Sequence, residues 1–158
     1  MSDASHQAGS MVQERKATYP VRCIVAVSRE FDQVGKQGEM SITQYRFMLF
    51  LRNGPKRAGE IAATSLVTKA TISGQITQLK EKGWVDVETD EADRRVSRVV
   101  LTAEGRAAMD RLEAKLLNCL EGLIGDADKS AILTALSDLY LALGATRESR
   151  LVDALGAG

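Results

Sequence analysis

Histidine is almost missing from this 158-residue chain. Its one copy, His6, lies in a Ser/Ala/Gly-rich N-terminal stretch. Catalysis that needs an imidazole base therefore lacks its usual group, and a zinc site lacks ligands. Cysteine is equally scarce: Cys23 and Cys119 are too few and too far apart for a disulfide framework or a metal motif. No run of about 18 apolar residues is present, so no membrane-spanning helix is expected. Residues 1–10 contain no apolar core of the secretory kind. We read residues 1–12 as a disordered leader and expect a cytoplasmic protein. Carboxylates are plentiful, but the ordinary reading of each is a solvated surface group. The sequence points neither to an enzyme nor to a cofactor.

Net charge is also lacking, with 21 Lys/Arg against 21 Asp/Glu. A neutral chain is not an indiscriminate polyanion binder, yet its charges are not evenly spread. Residues 40–102 hold ten bases against seven acids, and the remainder eleven against fourteen. Apolar residues make up 44% and recur mostly at helical spacing, as in a folded helical domain.

The first helix is expected over residues 20–34, with Thr18 as cap and Pro20 in the first turn. Val21, Ile24, Val27, Phe31 and Val34 form its apolar face. A second helix spans residues 43–52, followed by the turn Asn53-Gly54-Pro55. A short third helix, residues 58–63, starts with Arg57 and Ala58 where a capping Ser or Thr is favoured. The fourth covers residues 69–82, with Thr68 as cap, Ala70, Ile72, Ile76 and Leu79 inward, and Gly83 as its stop. The period then changes. Residues 84–88 and 97–101 read as two strands joined by a charged segment, the one hairpin expected. A long fifth helix reaches about residue 122, a sixth runs from Asp126 to about residue 143, and a last short one covers residues 146–155.

This is a mainly α fold with a small β-hairpin wing. Three helices followed directly by a charged hairpin is the order of a winged helix-turn-helix. Its recognition helix must offer small polar groups to a groove about 12 Å wide. The fourth helix supplies Thr68, Lys69, Ala70, Thr71, Ser73, Gly74, Thr77 and Gln78 for that purpose. Hydroxyls bond phosphates or bases, and Gln can pair with adenine. A merely solvated face is the competing reading, but such faces are usually rich in Glu and Lys. Arg94 and Arg95 at the hairpin tip, with Arg98 on the returning strand, are the candidate wing contacts, because an Arg can enter the electronegative minor groove.

The segments Leu79-Lys80-Glu81-Lys82-Gly83-Trp84-Val85, Asp93-Arg94-Arg95 and Leu101-Thr102-Ala103-Glu104-Gly105 resemble the multiple-antibiotic-resistance regulator (MarR) family in residue type and spacing. Ser41-Ile42-Thr43-Gln44-Tyr45-Arg46 and Gly59-Glu60-Ile61-Ala62 extend the resemblance, which covers residues 20–143. Trp84 stands for the usual aliphatic, and Arg57-Ala58 for the usual Thr-Pro. The resemblance implies a DNA-binding lobe over residues 39–102 and a helical dimerisation region over residues 13–38 and 103–158. It also implies a homodimer on a pseudo-palindromic operator in double-stranded DNA, and release by a small organic ligand such as an aromatic acid or thioester. Arg22, Arg29 and Arg46 are candidates for holding a ligand carboxylate. Two alternatives stand beside this reading. One is a peroxide- or thiol-responsive regulator using Cys23, although the neighbours Ile24 and Val25 suggest a buried, inert thiol. The other is a winged-helix module for protein–protein contacts.

Overall fold

The computed structural model describes residues 16–65, 69–89, 97–125 and 127–156. The chain divides into two compact units, one ending at Cys119 and the other beginning at Leu120.

In the first unit, α1 (Tyr19–Gln37) carries Pro20 in its first turn, where a missing N–H costs nothing. Thr18 precedes it, but its side chain makes no capping bond. The helix runs on through Gly35, which is buried because Ile42 and Ser41 pack against its bare Cα. Only the C-terminal half of α1 faces the core, through Phe31 and Val34. Val21, Ile24 and Val25 are exposed. A capping box starts α2 (Ile42–Leu49). The Gln44 N–H donates to Ser41 Oγ at 3.2 Å, and the Ser41 N–H donates to Gln44 Oε1 at 3.0 Å.

A two-residue strand, β1 (Lys56–Arg57), follows and was not expected. Two residues are too short to show a period. The start of α3 (Ala58–Ser65) is better capped than expected, because Glu60 Oε2 accepts the Arg57 N–H at 2.6 Å. The cap is thus supplied from inside the helix. The recognition-type helix α4 (Lys69–Glu81) ends at Gly83, whose φ of +71° suits glycine. Of its expected inward residues, Ile72 and Leu79 are buried, Ile76 packs on the core edge and Ala70 is exposed.

Strands β2 (Val85–Thr89) and β3 (Ser97–Leu101) form the hairpin, and β1 joins it on the other side of β3, giving the order β1-β3-β2. Both pairings are antiparallel. Val99 and Leu101 point to the core, and Arg98 and Val100 to the opposite face. Met40, Met48, Leu51, Ile61, Ile72, Leu79 and Val85 are almost entirely enclosed, each stabilising the lobe by about 1.5–3 kcal/mol. Trp84 and the Met109, Leu112 and Leu116 stripe of α5 (Ala103–Ile124) complete this core.

The second unit contains the last turns of α5 and one long helix, α6 (Lys129–Gly156). The two helices expected here are continuous, since Gly144 lowers helix propensity but does not break the ladder. Asp126 lies outside the described residues. Asp128 does the capping, with its Oδ1 accepting the Ala131 N–H at 3.0 Å. Ile132, Leu136, Leu139, Tyr140, Leu141 and Leu143 all remain exposed.

Candidate nucleic-acid interface

Helix α4 lies on the core through Ile72 and Leu79, and this fixes which side it shows to solvent. Ala70, Thr71, Ser73, Gly74, Thr77 and Gln78 are all exposed, as a 3.6-residue period requires. Thr77 Oγ1 donates to the Ser73 carbonyl at 3.1 Å, which holds one hydroxyl against the helix. Gly74 is informative because a Cβ there would meet nothing within 4 Å. Glycine in a helix interior costs about 1 kcal/mol, and the packing of this chain does not require it. It leaves a bare patch of backbone in the middle of the polar face. Lys69 opens α4. Thr68, Arg94 and Arg95 lie outside the described residues.

The far end of α4 is tied down by contacts that helical periodicity could not reveal. Lys80 Nζ pairs with Asp86 Oδ1 at 2.9 Å, and this hydrogen bond, helped by the Val87 N–H, holds the Asp86 carboxyl below its ordinary range. Lys82 Nζ donates to the Glu39 carbonyl at 2.7 Å and sits 4.2 Å from the Trp84 ring centroid. Thr102 Oγ1 donates to the Gly83 carbonyl at 2.7 Å and accepts the Gly105 N–H at 2.9 Å. The Lys82-Gly83-Trp84 and Thr102-Ala103-Glu104-Gly105 motifs therefore meet in space. Together they fasten the end of α4 to the start of α5.

Arg98 is half-exposed on β3, opposite Glu88 of β2 and Arg57 of β1. The strand that brings Arg57 there left no periodic signal. The three arginines considered for a ligand are exposed, Arg22 and Arg29 on α1 and Arg46 on α2. A shallow concavity of about 330 Å³ is lined instead by Val34, Gln37, Gly38, Lys115 and Asn118. Lys115 was missed because a lone lysine on an amphipathic helix looks like any other surface charge. Cys23 is exposed within this chain, contrary to the burial expected from Ile24 and Val25. Neighbours in sequence diverge by about 100° around a helix, and both are themselves exposed. Cys119 is half-buried. Among the described residues no group of three or more His, Cys, Asp or Glu could hold a metal ion, and no helix is long and apolar enough to cross a membrane.

Residues 39–96 match the model of the MarR family. An uncharacterized HTH-type transcriptional regulator of Bacillus subtilis, YdgG, is 32% identical over 78 residues, which is 48% of this chain and 51% of that protein. The match thus spans about half of the relative. Among solved structures, a Staphylococcus aureus MepR variant bound to an oligodeoxyribonucleotide superposes with a TM-score of 0.61 at 18% identity, covering 82% of this chain and 97% of that one. Bordetella bronchiseptica BpsR, described in terms of the regulation of its DNA binding by 6-hydroxynicotinic acid, gives 0.55 at 23%, covering 78% and 91%. Residues 39–96 of this chain are thus similar to the MarR family, and the chain has the winged helix-turn-helix fold of these solved structures.

Proposed function

We propose that the chain is a non-enzymatic, sequence-specific transcription regulator that binds duplex DNA as a homodimer. The exposed hydroxyl and amide face of α4 carries this reading: Thr71, Ser73, Thr77 and Gln78 surround the open backbone at Gly74. Such groups match base edges and phosphates in a major groove. The likeness to a MepR variant bound to an oligodeoxyribonucleotide supports it. A two-fold dimer would read a pseudo-palindrome with half-sites about 10 bp apart. The apolar residues exposed on α1 and α6 are the surface it would bury.

A small organic ligand, an aromatic acid or its thioester, would release the DNA. The described regulation of BpsR by 6-hydroxynicotinic acid supports that class, and Lys115 at the rim of the shallow concavity supplies a cation for a carboxylate. The ligand shifts the equilibrium only by its differential affinity for the two states, and by reciprocity bound DNA weakens the ligand equally. Exposure of Cys23 favours a second reading, in which thiol oxidation is the signal.

Selection of bound duplexes from a random pool tests the primary reading. Wild type should enrich a pseudo-palindrome, and Gln78→Ala should lose about 1–3 kcal/mol on that duplex but little on a scrambled one. Enrichment of nothing would sink it.

A further inference from the structure

We infer that Asp86, held by Lys80, closes the outer edge of the wing so that a second copy of this chain cannot pair with it there. The inference stands apart from the DNA-binding reading above. Strand β2 is an edge strand, because among the described residues only β3 pairs with it. The Thr102 N–H donates to the Trp84 carbonyl at 3.1 Å, just beyond the Val85–Leu101 pair. Hydrogen-bonded pairs alternate along an antiparallel ladder, so Asp86 with Val100 and Glu88 with Arg98 are the next ones. Val85, Val87 and Thr89 therefore turn their backbone N–H and C=O groups away from β3.

Outward groups of this kind are a template for another strand. Val85 is buried and Thr89 ends β2, which leaves Val87 as the accessible centre of the edge. Val87 is itself 38% exposed, and a β-branched residue open to solvent on an edge favours two-fold pairing with the same strand of a second copy. The Val87 N–H is already occupied, however. It donates to Asp86 Oδ1 at 2.8 Å. An incoming strand would have to place a carbonyl oxygen where that carboxylate oxygen lies. Asp is depleted in strands because its short side chain competes for nearby backbone groups, and here the competition seals the edge. Lys80 of α4 pins the carboxylate in place, with its Nζ on the same Oδ1 at 2.9 Å. One ion pair thus ties α4 to β2 and blocks the position at which a further strand would bond.

Amide exchange and sedimentation of the full-length chain test the closure together. Asp86→Ala should speed exchange of the Val87 amide by about tenfold, as expected for one lost hydrogen bond. The Val100 amide, on the inner side of the ladder, should stay as slow as before. Asp86→Asn keeps an acceptor and should keep most of the protection. At equal concentration Asp86→Ala should also sediment as a larger species than wild type. Adding Val87→Lys should reverse that, because a lysine on an edge discourages pairing. Lys80→Met, which leaves the carboxylate unpinned, should show both changes to a smaller degree, and it carries the test if Asp86→Ala does not fold. Equal Val87 exchange in wild type and Asp86→Ala would overturn the inference, as would equal acceleration at Val100, which marks a general loosening. It also fails if Asp86→Ala keeps the wild-type size, or if its larger size survives Val87→Lys.

Discussion

A Cβ atom built on Gly105 would run into the carbonyl oxygen of Trp84, and would also meet its carbonyl carbon at 2.9 Å and its Cα at 3.1 Å. The same Trp84 carbonyl accepts the Thr102 N–H at 3.1 Å. The first turn of α5 therefore rests on the backbone that follows α4, and only glycine permits the approach. Backbone atoms on both sides leave nothing flexible to give way. Gly105→Ala should cost about 2–3 kcal/mol, read as a lower urea midpoint at unchanged m-value. Gly59→Ala, on the exposed side of α3 with nothing within 4 Å, should instead stabilise by about 0.5–1 kcal/mol. Equal effects at the two glycines would contradict the close packing at Gly105.

Acid stability should depend on Arg111. Its Nε bonds Glu39 Oε1 at 2.7 Å and its Nη2 bonds Glu104 Oε1 at 2.8 Å. The hydrogen bond from Arg111 holds the Glu39 carboxyl below its ordinary value of 4.5. A lowered carboxylate pKa adds stability that is fully present above the ordinary value and is lost as pH falls through the lower, folded one. Arg111→Met should therefore flatten the fall in melting temperature below pH 4.5 and leave the neutral range parallel to wild type. Salt should shrink the difference, because the pair is exposed. An unchanged acid limb would show that the ion pair does not form in solution.

The exposed apolar residues should report on assembly. Sedimentation should return twice the chain mass of 17.1 kDa. Ile24→Asp on α1 and Leu136→Asp on α6, both exposed in the single chain, should each shift the protein toward monomer, because a buried, unpaired carboxylate is costly. Variants that stay as dimeric as wild type would put the interface elsewhere.

The signal can be tested at Cys23. Wild type and Cys23→Ser should keep the same affinity for the selected duplex with and without an organic hydroperoxide, whereas aromatic acids should lower it in both. Peroxide release of wild type alone would establish thiol control. Lys115→Met should blunt release by the acids if the concavity on α1 and α5 holds their carboxylate.

Local pattern was enough to read α4, because a 3.6-residue period separates Ile72 and Leu79 from Thr71, Gly74 and Gln78 whatever surrounds them. The hairpin was legible for the same reason, its β-branched strands breaking that period at Trp84. Spacing in the chain marked Gly83 as a helix stop, and it flagged Gly105 without saying why glycine stood there. Only the tertiary structure decided that Gly105 meets Trp84, that Lys82 reaches the Glu39 carbonyl, and that Glu60 caps a helix expected to lack one. It alone brought Arg57 beside Arg98, across a strand two residues long. Such contacts depend on which distant segments the core draws together. Hydrophobic burial is non-directional, so a run of residues shows which side must be buried but not what will lie opposite it.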